Sequence, residues 1–248
     1  MSIAEKLVTI AENQQKVYDT GFAEGIAQGG GGDSWDSFWD FYQVNGTRNN
    51  YAYAFAGHSS LYNIWSIGGY TPKYQIKPDN AYGMFQYFGG SANNSVNFTP
   101  DFDFKQFLID NNWELDLTTM VTTSYCFQYS AMVNCPPVAI GNGFYTFDTC
   151  KRLKTIDKLI FNYGTTTYTN TFSNCSALEE IYELEGELKA NVSFSPCTKL
   201  SKETLLRLLN ATAQLYSGTK TLTLGSTNLA KLTDEEKAIA TNKGWTLA

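Results

Sequence analysis

Thr146-Phe-Asp-Thr-Cys-Lys-Arg-Leu-Lys-Thr-Ile156 and Thr171-Phe-Ser-Asn-Cys-Ser-Ala-Leu-Glu-Glu-Ile181 are the two stretches that decide how this chain is read. Extended by one step, they set Phe147, Cys150, Leu153, Ile156 and Leu159 against Phe172, Cys175, Leu178, Ile181 and Leu184. The same five residue types recur in the same order, one at every third position. A third copy opens as Phe194, Cys197 and Leu200 before a helical pattern takes over. Apolar residues at every third position fit neither an α-helix nor a simple strand. They fit a polygonal coil whose corners and short strand each turn one side chain inward, so that Phe and Cys stack on their counterparts in the next coil.

The copies lie 25 and then 22 residues apart, a period within the range of leucine-rich repeats and below that of helical-pair repeats. Met132, Cys135 and Val138 read as a degenerate earlier copy, and Met84, Phe85 and Phe127 suggest that coils begin soon after residue 84. No clean repeat shows between Gly89 and Val121. A single coil cannot bury its own face, so both ends of such a stack need a different, polar-faced cap.

The flanks supply candidates for both caps. At the C-terminus, residues 201–248 read as an αβ cap. Ser201 starts a helix whose buried stripe is Leu205, Leu206, Leu208 and Leu209, and Thr221–Leu224 reads as a strand. Thr233 starts a second helix with Asp234, Glu235 and Glu236 in its first turn, favourable to the helix dipole. Gly244 ends it before a last Trp245–Leu247 strand. On the other side, residues 35–83 form an aromatic-rich N-terminal cap in which Trp35, Phe38, Trp39 and Tyr42 share one helical face and Tyr51, Tyr53 and Phe55 alternate as in a half-buried strand. Residues 28–34 are a glycine-rich linker. In residues 1–27, Ile3, Leu7, Ile10, Gln14 and Val17 follow the four-three spacing of a coiled-coil seam. Such a seam implies self-association as a dimer or trimer, or else a short helix docked on its own globular part. The solenoid proper is assigned to residues 84–200.

With 43% hydrophobic and 15% aromatic residues the chain of 248 is rich enough to fold. Its net charge of −6 and the want of a basic patch argue against nucleic acid or an anionic membrane as partner. No stretch has the ~18 uncharged apolar residues of a membrane span, and the charged first residues do not resemble a signal peptide. Cys126, Cys135, Cys150, Cys175 and Cys197 lack the pairing and histidines of a zinc site, and read as buried thiols. The one histidine, His58, stands in no nucleophile-elbow pattern. Asp36 with Asp40, or Asp101 with Asp103, beside aromatics are the pairs a glycosidase would use, but a solvated helix face explains the first pair more simply. Glycines at 89–90 and at 141 and 143 lack the Lys-Ser/Thr of a phosphate loop. The reading is of a non-enzymatic chain without metal or cofactor.

The two quoted runs resemble the BspA-like leucine-rich repeats of gut bacteria and their phages. The opening Met1-Ser-Ile-Ala-Glu-Lys-Leu7, with the helix and glycine linker that follow, resembles the start of phage and prophage virion proteins of gut Firmicutes, and Tyr51-Ala-Tyr-Ala-Phe-Ala56 with Pro72-Lys-Tyr74 is similar to the cap those proteins share. The resemblance implies an α+β leucine-rich-repeat solenoid with an N-terminal coiled-coil helix. It also implies a virion protein of tail, baseplate or head-fibre type, made in the host cytoplasm, that presents a binding surface. The expected partners are the chain itself, other virion proteins and a host surface glycan or protein. A purely structural virion subunit and a bacterial surface adhesin are the alternatives, and a glycan-degrading enzyme is a more distant one. Thr165, Thr166, Thr167 and Tyr168, between two regular coils, are the expected contact ridge: uncharged, with one aromatic for a sugar.

Overall fold

Phe85, Phe127, Phe147, Phe172 and Phe194 form one column of rings at the centre of the structure, a computed structural model that describes residues 76–86, 88, 101–141, 144–162, 164 and 167–248. Successive ring centroids are 5.3, 5.1, 5.5 and 4.4 Å apart, with interplanar angles of 3°, 4°, 10° and 24°. The spacing follows from the backbone. In the first three segments the Phe N–H donates to the residue preceding the next ring, Phe85 to the Cys126 carbonyl (2.7 Å), Phe127 to Thr146 (2.8 Å) and Phe147 to Thr171 (2.9 Å). Neighbouring strands so bonded lie about 4.8 Å apart, so like side chains at like positions arrive at ring-stacking distance.

The turns around the first four rings share a backbone feature. Gly83, Tyr125, Tyr145 and Asn170, two residues before their Phe, have φ of 59°, 60°, 60° and 53°. Tyr129, Thr149 and Asn174, two residues after, have φ of 61°, 61° and 58°. The segments around Phe127, Phe147 and Phe172 thus each reverse through two left-handed residues that flank the buried ring. Gly and Asn tolerate this conformation; Tyr and β-branched Thr adopt it at a cost. Along the outside of the turns Tyr82, Tyr125 and Tyr145 make a second, half-buried column with 5.4 Å between successive centroids.

Cys150, Cys175 and Cys197 occupy a third column. The Cys150 thiol donates to the Phe127 carbonyl at 2.9 Å and Cys175 to that of Phe147 at 3.0 Å; Cys197 faces the Phe172 carbonyl at 3.9 Å. A small side chain with a weak donor therefore serves a backbone acceptor of the segment above. All five cysteines are buried and unpaired with one another.

Opposite the turns runs a parallel sheet of β1 (Asn134–Cys135), β2 (Val138–Ile140), β3 (Thr155–Phe161) and β4 (Glu180–Glu185). Ile156 pairs with Ile181 and Leu159 with Leu184, so the two copies quoted above lie in register. The earlier copy falls elsewhere than the sequence suggests: Cys135 pairs with Ile156 and Val138 with Leu159, not with Cys150 and Leu153. Phe127 takes the aromatic position instead. The irregular insertion before it holds α1 (Phe104–Asp110), whose Phe104 and Phe107 are buried against Phe88, with Trp113 edge-on to Phe107.

Two expected boundaries shift. Ile76 bridges Leu115 and Asn80 bridges Thr122, both in parallel, so 76–83, assigned to the aromatic cap, already pair as a segment of the stack. At the other end, β5 (Val192–Ser193), β6 (Lys220–Thr223) and β7 (Trp245–Leu247) form a second parallel sheet in that order, and Phe194 donates to the Thr223 carbonyl at 2.7 Å. Residues 201–248, assigned to a separate cap, thus continue the stacking, with helices α2 (Lys202–Ala211), α3 (Ser226–Leu229) and α4 (Asp234–Thr241) in the returns. Ser201 caps α2 by accepting from Thr204 N–H, and Thr233 and Glu236 form a reciprocal capping box on α4. The N-terminal seam (Ile3, Leu7, Ile10, Gln14, Val17), the linker and residues 35–75 of the aromatic cap lie outside the described residues.

Candidate functional site

β4 is the last strand of its sheet, and a bare edge strand exposes unpaired backbone groups. Helix α2 covers the first part of that edge. Thr204 Oγ1 accepts from Ile181 N–H at 3.0 Å and donates to Glu180 Oε1 at 2.7 Å. Arg207 donates to the same carboxylate at 2.6 Å and to the Ile181 carbonyl at 3.1 Å. Burial raises the Glu180 pKa, but hydrogen bonds from Ser201, Thr204 and Arg207 outweigh it and hold the carboxyl below the usual glutamate range.

Between this clamp and the hydrogen bond from Leu188 N–H to the Ala211 carbonyl at the end of α2 (2.8 Å) lies a groove of about 580 Å³, lined from β3 by Lys158, from β4 by Tyr182–Gly186 and from α2 by Arg207, Asn210 and Ala211. This is within the ~300–1,000 Å³ of ligand clefts. Gly186 ends the strand with φ of +80°, where a Cβ would stand 2.4 Å from the Phe161 carbonyl oxygen. Only glycine lets β4 turn away so close to the end of β3. In the groove Lys158 bridges Glu185 at 2.8 Å and Glu183 at 3.5 Å. Glu185 foremost, and Glu183, hold its ammonium above the usual lysine range. Tyr182 is 52% exposed, with its ring turned outward between the buried Ile181 and the core-packed Leu184.

Phe147, Cys150, Leu153, Ile156, Leu159, Phe172, Cys175, Leu178, Ile181, Phe194, Cys197 and Leu200 are all buried, and Leu184 packs against them half-buried. The expected contact ridge is corrected. Tyr168 is only 2% exposed because its ring packs edge-on against Phe161 at 5.6 Å, which removes apolar surface from water that an exposed ridge would leave wet. Thr167 is half-buried with its hydroxyl 2.7 Å from that of Thr169, and Thr165 and Thr166 lie outside the described residues.

The aspartates of the enzymatic alternative have structural partners. Asp103 caps α1, accepting from Gln106 N–H at 2.8 Å and from Asn134 Nδ2 at 2.7 Å, and Asp101 pairs with Lys154 at 2.9 Å. Asp36, Asp40 and His58 lie outside the described residues.

Sequence reasoning passed over Lys158, Tyr182, Arg207 and Asn210. Two signals pointed to them: a tyrosine at a non-core position of the most regular repeat, and an arginine interrupting the run from Leu205 to Leu209. No family model, curated protein or solved structure matches the chain. Among the described residues, no helix is long and apolar enough to cross a membrane.

Proposed function

We propose that this chain is a BspA-like leucine-rich-repeat solenoid borne on a phage or prophage virion, and that it presents a binding surface for the bacterial host rather than catalysing a reaction. The observation that carries the reading is the open groove between β4 and α2. It is held by a hydrogen-bonded clamp and places an exposed aromatic beside donors and acceptors on the face of a rigid stack. Adhesion needs such a face, fixed by a packed scaffold, and no particular reactive group. The N-terminal seam would join copies and so multiply weak contacts, and the resemblance of the opening residues to virion proteins supports the setting.

The test uses the fluorescently labelled full-length chain on a panel of gut Firmicutes. Saturable binding to some strains, competed by unlabelled chain, is expected. Binding to no strain, with incorporation of the chain into particles, would replace this reading with that of a purely structural virion subunit.

A further inference from the structure

We infer that the β4–α2 groove receives a neutral sugar ring, one pyranose of a surface glycan laid against the face of Tyr182. This rests on the binding reading and names the class of ligand.

Three observations select that chemistry. The first is Tyr182 itself. It is a large aromatic, half exposed at the wall of the groove, and the extended aromatic columns of the stack do not include it. An aromatic face left to solvent is the surface on which the C–H face of a sugar ring packs, because it is apolar and weakly negative. The second is charge. The ionised groups lining the groove are two cations, Lys158 and Arg207, and two carboxylates, Glu183 and Glu185. The cations are already engaged by three carboxylates, Glu180 of the clamp with Arg207 and Glu183 and Glu185 with Lys158, at 2.6 to 3.5 Å, so an anion gains no net attraction, and each carboxylate already faces a cation. A neutral polyhydroxylated ligand can use both kinds of group. Glu183 and Glu185 have side chains 67% and 57% exposed and keep lone pairs for sugar hydroxyls, while the Asn210 amide adds donor and acceptor capacity. The third is length. An extended peptide added to the β4 edge needs about five or six residues of strand. Here α2 occupies the edge at Glu180 and Ile181, and past Gly186 the end of α2 takes the backbone groups of Leu188. The remaining opening suits a ring or two better than a strand.

The experiment titrates the full-length chain with neutral tetrasaccharides of glucose, galactose and mannose, and with a galacturonic acid tetramer, reading saturation transfer from protein to sugar protons. At least one neutral sugar should bind saturably, and the acidic tetramer more weakly than its neutral galactose counterpart. Tyr182→Ala should weaken binding tenfold or more, whereas Tyr182→Trp should retain it. Thermal melting checks that both variants fold. Saturable binding by none of the neutral tetramers, binding unchanged in Tyr182→Ala, or preference for the acidic tetramer would each overturn the inference. So would an extended peptide that binds competitively with the sugars and is indifferent to Tyr182→Ala. The two readings fail separately. If labelled Tyr182→Ala adheres to cells as well as the native chain, the sugar site falls and adhesion stands. If no cell is bound but a tetramer binds through Tyr182, adhesion falls and the sugar site stands.

Discussion

At the scale of single residues, strain and thiol burial give the sharpest expectations. Thr149 occupies a left-handed position with φ of 61° that Asn174 fills in the next segment. A left-handed L-residue costs roughly 1–2 kcal/mol, least for Asn and Gly. The Thr149 hydroxyl donates to Asp148 at 3.0 Å and accepts from Asn174 at 3.3 Å, a role a short amide can take over. Thr149→Asn should therefore stabilise the chain by about 1 kcal/mol, a rise of roughly 2–4 °C in Tm. A fall in calorimetry would show that the hydroxyl's bonds outweigh the strain. The cysteines give a second expectation. Burial pushes every thiol up, Cys197 to about 12, and thiolate is the reactive form. All five should resist a disulfide reagent at pH 8 in the native chain and react together in guanidinium; rapid reaction of any one without denaturant would contradict its placement.

At the scale of elements, the junction of α2 with β4 is the place where acid should act. The folded-state pKa of Glu180 lies below its unfolded value, so the stabilisation it contributes is whole above the ordinary glutamate range and is lost as pH falls through the lowered folded-state value. Asp116, held down by Thr118 and Lys77 against the opposing effect of burial, acts in the same direction at the far end of the stack. The urea midpoint should fall on acidification from pH 7 to pH 3, and Glu180→Gln should flatten part of that fall. An unchanged pH profile in Glu180→Gln would mean that Arg207 and Thr204 hold α2 in place without the carboxylate. Helix starts were legible in the sequence, because Ser201 and Thr233 cap through hydrogen bonds to residues three positions on. The groove was not, because it depends on where α2 meets β4, at Ile181 and again at Leu188.

At the scale of the whole molecule, the stack buries a continuous core from Ile76 to Trp245, each segment closed by its neighbours, as repeat arrays require. Whether copies of the stack act singly or together rests on the seam from Ile3 to Val17. Light scattering on the full-length chain should give a dimer or trimer that falls to monomer with the paired substitutions Leu7→Asp and Ile10→Asp. A monomeric native chain would remove multivalency from the adhesion reading and leave the N-terminal segment as a docking element for a partner protein.

The sequence by itself determined which residues face inward over residues 147–200, because a strict three-residue spacing allows each Phe, Cys, Leu and Ile one inward position per coil. It also determined the helix caps, whose partners are near in the chain. Only the tertiary structure decided the rest. Residues 134–140 fall into register through pairing with β3, and a shift of register changes no local preference. Residues 76–83 join the stack through Leu115 and Thr122, distant in sequence. Tyr168 is buried by Phe161, and Tyr182 is left open where, among the described residues, β4 pairs with no strand but β3. The physical reason is the same in each case: neighbours along the chain set conformation, whereas the neighbours a side chain meets across the stack are set by how the segments close on one another.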